Sequence, residues 1–240
     1  MFKQVCNSLL TLAYPQACHL CENSVEDFSD GVVCRDCWKK TRIFSGNENL
    51  CNKCGAYLNE SKTPVKTFCH RCDEHFYDAS RAVGIYENAL AASIIHLKRE
   101  PFVAKNLRKL FISAFYNSGF QDPTLLIPIP LSKKRFLERG FNQAAILADI
   151  LKKETEIKID EKSLVRKIHT PMHRATMDVK ARNMSVKNAF EVKRAEFIKN
   201  QTILLVDDVY TSGATVSSCA EVLKKAGASK VYVLTIARAV

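Results

Sequence analysis

No stretch of this sequence approaches the ~20 consecutive apolar residues that a membrane-spanning helix requires. The beginning of the chain also lacks the uninterrupted apolar core of a signal peptide, because Gln4, Asn7 and Ser8 lie within it. The apolar residues of segment 2–14 instead recur at helical spacing, which predicts a short amphipathic helix packed on the protein itself. We therefore expect a cytoplasmic protein without a membrane span.

Acidic residues are few relative to basic ones. The 240 residues include 36 lysines and arginines but 25 aspartates and glutamates, which gives a formal net charge of +11. An excess of positive charge favours anionic partners such as nucleotides, phosphates or nucleic acid. The alternative is a solvated basic surface without a polyanionic partner, and charge alone does not exclude it. The hydrophobic content of 47% is ordinary for a globular chain of one medium domain and a smaller module.

A disulfide framework is not expected, because nothing in the sequence indicates export to an oxidising compartment. Eight of the ten cysteines nevertheless form four Cys-x-x-Cys pairs, namely Cys18 with Cys21, Cys34 with Cys37, Cys51 with Cys54, and Cys69 with Cys72. Two such pairs supply four thiolates for one tetrahedral ion. The pattern predicts two structural zinc ions, with no coordination position left open for a catalytic water. The unpaired Cys6 and Cys219 are expected to be small buried side chains.

The cysteine pairs can combine in two ways. Sequential pairing joins the first two pairs on one ion and the last two on the other, whereas a cross-brace alternates them. We favour sequential pairing because each half then looks like a repeated zinc ribbon. Between the two pairs lie 12 residues in the first half and 14 residues in the second. So small a module has little core of its own, and zinc would supply folding free energy on the order of 10 kcal/mol per site. We assign residues 1–77 to the N-terminal helix and double zinc ribbon, and residues 78–240 to a second domain.

The most informative segment of the chain is residues 203–215. Ile203 to Val206 is rich in leucine and β-branched residues, which predicts a buried parallel strand. Asp207 and Asp208 follow at the carboxyl end, where ligands of open α/β sheets bind. Because successive strand residues point to opposite faces, we expect the strand to break at this pair so that both carboxylates reach one ligand. Adjacent carboxylates can accept hydrogen bonds from a vicinal diol or hold a divalent cation.

The residues after the acidic pair offer hydroxyls, a glycine and free amide N–H groups; they are Thr211, Ser212, Gly213, Ala214 and Thr215. A helix predicted over residues 215–225 would direct unpaired N–H groups and the positive end of its dipole at an anion. Gly227 is expected to end this helix in a left-handed conformation, and residues 230–237 predict the next strand. A diol site beside an anion site describes a ribose 5-phosphate. The alternative is an acidic pair that caps a turn, followed by an ordinary helix start.

Residues 206–215 closely resemble the phosphoribosyl pyrophosphate signature of type I phosphoribosyltransferases. The resemblance implies an α/β fold in which a parallel sheet is flanked by helices. It also implies that Asp207 and Asp208 are the catalytic residues, which bind the ribose hydroxyls with Mg²⁺, and that residues 211–215 surround the 5-phosphate.

A second candidate anion site precedes this segment. The apolar run 125–131 predicts a strand that must bend or end, because it contains two prolines. Arg135 and Arg139 follow, and Asn142 is a suitable cap for a helix that extends to about residue 153. A strand end, two arginines and a helix start together favour an anion. Taken alone, a basic exposed turn is the alternative.

The rest of the second domain gives weaker signals. Apolar patterns predict a strand over residues 82–86 and helices over residues 88–98 and 103–116. Residues 166–190 are polar and basic, which is typical of a mobile lid over a phosphate-bearing ligand. An untethered surface loop is the alternative for this segment.

Several of these pieces together resemble the ComF/GntX group of competence-associated proteins. The matching pieces are the zinc ribbon, Pro128–Leu131, Arg135–Gln143, and Arg182–Asn183 before Ala189–Phe190. The group usually has a glutamine near the lid, where this chain has Thr170-Pro171-Met172-His173. This departure weakens any lid contact carried over from the group, but it leaves the phosphate site unaffected.

The resemblance implies a cytoplasmic role in DNA uptake during natural transformation, with single-stranded DNA and the competence DNA-translocation machinery as partners. It places Pro130, Leu131 and Ser132 in the loop that contacts pyrophosphate, and we expect Arg135 and Arg139 to hold the charge of this leaving group. Two alternatives stay open. One is a metabolic phosphoribosyltransferase acting on a base or amine, although no residue indicates a base-specific pocket. The other is a sensor that binds phosphoribosyl pyrophosphate without turnover.

Overall fold

A computed structural model describes residues 16–58, 68–69, 72, 75–167 and 188–239 of the chain. The helix predicted over residues 2–14 lies outside these ranges. So does most of the lid predicted at residues 166–190, including Thr170–His173 and Arg182–Asn183.

The second domain is built on a parallel sheet. In chain order the strands of the described residues are β1 (Ala79–Ile85), β2 (Leu125–Pro128), β3 (Lys158–Ile159), β4 (Leu164–Arg166), β5 (Phe190–Val192), β6 (Thr202–Tyr210) and β7 (Lys230–Arg238). Five of them form one sheet in the order β1-β7-β6-β2-β3, in which every neighbouring pair is parallel. β4 and β5 form a separate antiparallel pair. The predicted α/β fold with a parallel sheet is confirmed.

Six α-helices flank the sheet or lie in the zinc ribbon within the described residues: α1 (Arg35–Lys39), α2 (Asn88–Leu97), α3 (Lys105–Tyr116), α4 (Lys133–Arg139), α5 (Gln143–Thr155) and α6 (Ala214–Lys225). The Asn142 side chain caps α5 by accepting from the Ala144 N–H at 3.1 Å, as predicted. Gly227 follows α6 with φ +92°, also as predicted. α4 was not predicted. Among these helices none has the length and apolarity that a bilayer span demands.

The two central strands end differently. β2 ends at Pro128, which pairs with Val206 of β6, and the prolines of this segment account for its short length. β6 instead continues through Asp207 and Asp208 to Tyr210, so the expected strand break at the acidic pair is wrong. The reason is that β7 also has nine residues and keeps the ladder intact up to Tyr210.

Each face of the sheet packs its own apolar core. On one face Leu204 and Val206 of β6 lie with Leu90 of α2 and Leu147 of α5. On the other face Ile203 and Leu205 lie with residues of α6, among them Val216 and Leu223. Alternate residues of β6 therefore fill both cores, which is why its sequence is apolar without interruption.

The zinc ribbon covers the edge of the sheet at β1. The Phe44 N–H donates to the Val83 carbonyl at 2.8 Å, and the Ile85 N–H donates to the Arg42 carbonyl at 3.0 Å. A Cβ at Gly84 would collide with that Arg42 carbonyl, so this close backbone approach requires glycine. Covering β1 removes a row of unpaired backbone groups from solvent.

Candidate functional site

The eight paired cysteines lie in two groups. The first four-cysteine group is Cys18, Cys21, Cys34 and Cys37, the second is Cys51, Cys54, Cys69 and Cys72, and within each group the sulfurs lie within 4.8 Å of one another. This is the sequential pairing, not the cross-brace. Zn–S bonds of ~2.3 Å place the sulfurs of a tetrahedral site about 3.8 Å apart. The Cys21–Cys34 sulfurs are 3.6 Å apart and the Cys51–Cys72 sulfurs 3.3 Å apart, so both groups suit zinc.

Backbone N–H groups point at one sulfur in each group. The Cys34 N–H donates to the Cys18 sulfur and the Cys69 N–H to the Cys51 sulfur, both at 3.3 Å. Although burial raises the pKa of Cys51, these N–H groups lower it, and the net effect is a pKa of about 6. The same balance lowers the pKa of Cys18 to about 6. Thiolates are the ligands that zinc prefers, so the backbone favours the metal-binding form.

The acidic pair lies at the carboxyl end of β6. Asp208 is 6% exposed, and its carboxylate lies 2.9 Å from the Lys98 Nζ and 3.5 Å from the Gln143 amide nitrogen. The Asp207 carboxylate accepts from the Asp208 N–H at 2.9 Å. Burial raises the pKa of Asp207, and the neighbouring charge of Asp208 raises it further. The two carboxylates are thus neighbours even though the strand does not break between them.

Three arginines lie near the acidic pair. Arg139 donates to the Gln143 side-chain oxygen at 2.8 Å and so connects to Asp208 through Gln143. Burial lowers the pKa of Arg135, as does the charge of Arg139, whereas Asp208 raises it. Burial and the charge of Arg135 likewise lower the pKa of Arg166 on β4. Positive side chains packed this closely are stabilised by an anion.

The loop after β2 begins beside the acidic pair. The Ile129 N–H donates to the Val206 carbonyl at 2.9 Å, and the Asn142 side chain donates to the Ile129 carbonyl at 3.1 Å. Pro130 and Leu131 follow and are partly exposed. Ser132 caps α4 by accepting from the Arg135 N–H at 3.4 Å. This short helix therefore places Arg135 and Arg139 at the same edge as the carboxylates.

Residues 211–215 connect β6 to α6. Thr211 is exposed and Ser212 partly exposed, and the Ser212 hydroxyl accepts from the Ala214 N–H at 3.4 Å. Gly213 has φ +81°, and a Cβ there would collide with the Tyr210 hydroxyl. α6 begins at Ala214, one residue before the predicted start, with Thr215 in its first turn. The predicted hydroxyl-bearing turn thus lies at a helix N-terminus, next to the carboxyl end of β6.

Three neighbours of the acidic pair were missed as site residues. Lys98 ends the predicted helix 88–98, and only the placement of α2 against β6 brings it to Asp208. Arg166 lies at the start of the basic segment for which the sequence predicts a lid, but it belongs to β4. Gln143 is the last residue of the Arg135–Gln143 resemblance, and that resemblance was the available signal.

The fold and the site define a class of protein. Residues 100–239 match the phosphoribosyl transferase domain, and residues 9–77 match the double zinc ribbon domain. The chain belongs to the phosphoribosyltransferase domain family and has a double zinc ribbon ahead of that domain.

Individual relatives of the chain carry more specific names than the domain family does. DNA utilization protein YhgH of Shigella flexneri is 29% identical over 235 residues, which are 95% of this chain and 99% of that protein. Competence protein F of Haemophilus influenzae is 28% identical and covers 92% of this chain and 96% of its own. Competence protein ComFC of Bacillus subtilis is 27% identical and covers 87% and 85%. The resemblance to the ComF/GntX group is confirmed.

Proposed function

We propose that this chain is a ComF-like protein of DNA uptake that works in the cytoplasm and binds phosphoribosyl pyrophosphate, Mg²⁺ and single-stranded DNA. The observation that carries the proposal is the meeting of three features at one edge of the sheet. These are the acidic pair on β6, the arginines on α4, and the hydroxyl-bearing turn before α6. Relatives named for competence and DNA utilization support the cellular role.

Each part of the ligand has a matching set of groups. Asp207 and Asp208 would accept hydrogen bonds from the ribose hydroxyls and hold Mg²⁺, which neutralises charge on the pyrophosphate. Residues 211–215 would surround the 5-phosphate with hydroxyls and amide N–H groups. The pyrophosphate would lie against the loop of Pro130, Leu131 and Ser132, with Arg135 and Arg139 providing positive charge.

The same groups suit a transfer step. In such a step the bond between the sugar C1 and the pyrophosphate oxygen breaks, a nucleophile bonds to C1, and the electron pair leaves with pyrophosphate. Developing positive charge on the sugar would lie near the acidic pair, and the negative charge of the leaving group near Arg135 and Arg139. Positioning and charge stabilisation are therefore what these residues contribute.

α4 also offers a surface for single-stranded DNA. Phe136 is 49% exposed and Leu137 is 74% exposed. They lie on the same short helix as Lys133, Lys134 and Arg135, in a chain with a net charge of +11. Exposed aromatic side chains among cations are typical of sites where bases stack while the backbone meets positive charge. We place the DNA contact on this helix, beside the phosphoribosyl site.

Calorimetry of the wild-type protein with phosphoribosyl pyrophosphate and Mg²⁺, in the presence and absence of single-stranded DNA, tests the proposal. We expect both ligands to bind, with DNA affinity falling as salt rises. Pyrophosphate release with a defined small-molecule acceptor and no DNA binding would instead indicate a metabolic phosphoribosyltransferase. Failure to bind phosphoribosyl pyrophosphate would contradict the proposal.

A further inference from the structure

The hydroxyl of Tyr210 lies at a junction between the zinc ribbon and the 211–215 loop, which we propose to hold the 5-phosphate. Tyr210 is 2% exposed, and its hydroxyl lies 2.6 Å from the Tyr77 hydroxyl and 3.3 Å from the His75 Nε2. The His75 and Tyr77 rings are stacked with centroids 5.0 Å apart. Burial raises the pKa of Tyr210 to about 12 and lowers that of His75 to about 4, so this buried network is uncharged near neutral pH.

The 211–215 loop packs directly against this junction. Gly213 lies so close to the Tyr210 hydroxyl and the His75 ring that a Cβ would collide with the hydroxyl. On the other side of the loop, the Phe76 N–H donates to the Ser217 hydroxyl in α6 at 3.2 Å. The segment from His75 to Tyr77, which follows the last zinc-ribbon cysteine, therefore contacts both the strand before the loop and the helix after it.

Arg238 connects the junction to the second four-cysteine group. Its guanidinium lies 4.4 Å from the centroid of the Tyr210 ring. It donates to the Cys54 carbonyl at 2.5 Å and lies 3.7 Å from the Cys54 sulfur. Arg238 thus stacks on Tyr210, against which the 211–215 loop packs, and at the same time donates to Cys54, a proposed zinc ligand. A planar guanidinium can do both, since its face stacks while its edge donates.

The two four-cysteine groups lie in different apolar cores. Cys18 and Cys34 of the first group lie in the core that contains Val83 and Leu90. Cys51, Cys54 and Cys72 of the second group lie in the core on the opposite face, which contains Tyr210 and Val216. Among the described residues, only the second core contains side chains of both β6 and α6, the two elements that the 211–215 loop connects.

We propose that Arg238, Tyr210 and Tyr77 are positioning residues that couple the second four-cysteine group to the 211–215 loop, so that metal at this group holds the loop ready for the 5-phosphate. The inference rests on the proposed function and adds to it. It assigns the second zinc ion a role in ligand binding and leaves the first with a role in stability. The pyrophosphate side of the site, on α4, is not part of this connection.

The test uses full-length protein and two probes, ribose 5-phosphate and Mg²⁺-pyrophosphate, each titrated by calorimetry. We expect Arg238→Ala and Tyr77→Phe to weaken ribose 5-phosphate binding about tenfold, which corresponds to the loss of a buried hydrogen bond or stacked contact. Mg²⁺-pyrophosphate affinity and zinc content should not change. If Arg238→Ala does not fold, Tyr77→Phe, which removes one hydroxyl, decides the matter.

Arg81 provides a matched control. Like Arg238 it donates to the ribbon, to the Asn52 carbonyl at 3.1 Å, but its second donation, at 2.8 Å, goes to the Ser80 carbonyl of β1. Arg81→Ala should leave ribose 5-phosphate affinity within about twofold. For the cysteines, Cys69→Ser should lose one zinc ion and weaken ribose 5-phosphate binding. Cys21→Ser should lose one zinc ion and leave that binding unchanged.

The outcomes are distinct. Equal affinities for ribose 5-phosphate in Arg238→Ala, Tyr77→Phe and wild type would overturn this inference alone. An equal loss for both probes in Arg238→Ala would also overturn it, because a general loss of structure does not distinguish the two ends of the site. Binding of phosphoribosyl pyrophosphate by the wild type without any binding of ribose 5-phosphate would also overturn this inference alone. No binding of phosphoribosyl pyrophosphate would overturn the proposed function, and this inference with it.

Discussion

The Lys98 Nζ lies 2.9 Å from the Asp208 Oδ2, and this ion pair joins the end of α2 to the acidic pair on β6. The Asp208 side chain is 9% exposed, so nearby polar groups solvate its carboxylate more than water does. Within the described part of the chain, Lys98 and the Gln143 amide both lie within hydrogen-bonding reach of the same carboxylate oxygen. A divalent cation at Asp208 would therefore compete with Lys98 or share the carboxylate with it.

Removal of Lys98 should destabilise the fold. In Lys98→Met the carboxylate of Asp208 stays buried without its ion pair, and we expect a loss of roughly 1–2 kcal/mol of unfolding free energy, less than for a fully buried pair because Lys98 is partly solvated. Urea-induced unfolding measures this loss of unfolding free energy. Lys153→Met is the control, because its 2.6 Å pair with Asp149 is exposed on α5 and should contribute little. Equal effects of the two substitutions would contradict this account of Asp208.

Gly213→Ala should lower the free energy of unfolding by more than the altered backbone preference alone would. Gly213 has φ +81° and would place a Cβ against the Tyr210 hydroxyl, whereas Gly119, with φ +71°, has no atom within 4 Å of such a Cβ. We expect Gly119→Ala to lose about 1 kcal/mol and Gly213→Ala at least about 1 kcal/mol more. Thermal unfolding compares the two. A smaller loss for Gly213→Ala would show that the loop does not rest on Tyr210.

Removal of the exposed aromatic ring on α4 should weaken single-stranded DNA binding. We expect Phe136→Ala to lose about 1–3 kcal/mol of binding free energy, the usual value for a stacked base. Tyr116→Ala, at an aromatic residue on α3 that is more exposed (60%) than Phe136 (49%), should have no effect. Fluorescence anisotropy with a labelled oligothymidylate at several salt concentrations provides the measurement. DNA affinity that stays the same in Phe136→Ala would place the contact elsewhere.

The zinc content of cysteine variants tests the pairing. Because each group brings its four sulfurs together separately, Cys37→Ser should reduce the zinc content from two ions per chain to one, with the second group still loaded. Cys219→Ser should retain both ions, since Cys219 is buried in α6 and belongs to neither group. Plasma mass spectrometry of the purified protein counts the ions. Loss of both ions in Cys37→Ser would indicate that the groups are not independent.

The sequence predicted those parts of the molecule whose signals are local. The spacing of the cysteines indicated two four-ligand groups, and the apolar run at 203–206 with the helix after it indicated β6 and α6. α4 was missed because none of its residues is buried, so it has no apolar periodicity. β3, with two residues, is too short for any pattern. β4 and β5, which form the separate antiparallel pair, have three residues each and are similarly short.

The details of the site depended on long-range contacts. The expected break at Asp207 was wrong because the ladder with β7 continues to Tyr210, and nothing in residues 203–210 reveals the length of a strand 20 residues later. The Lys98–Asp208 pair joins residues 110 positions apart. The Tyr77–Tyr210 contact spans 133 positions. A sequence pattern identifies the chemistry of such residues, but only the fold determines which of them meet.

The most direct test of the central claim is calorimetry of Asp207→Ala/Asp208→Ala with phosphoribosyl pyrophosphate and Mg²⁺. We predict that the double variant loses measurable binding and keeps two zinc ions per chain, because the acidic pair lies on β6 and the cysteines lie in the ribbon. Asp149→Ala, an exposed carboxylate on α5, should bind as the wild type does. Undiminished affinity in the double variant would contradict the assignment of the site.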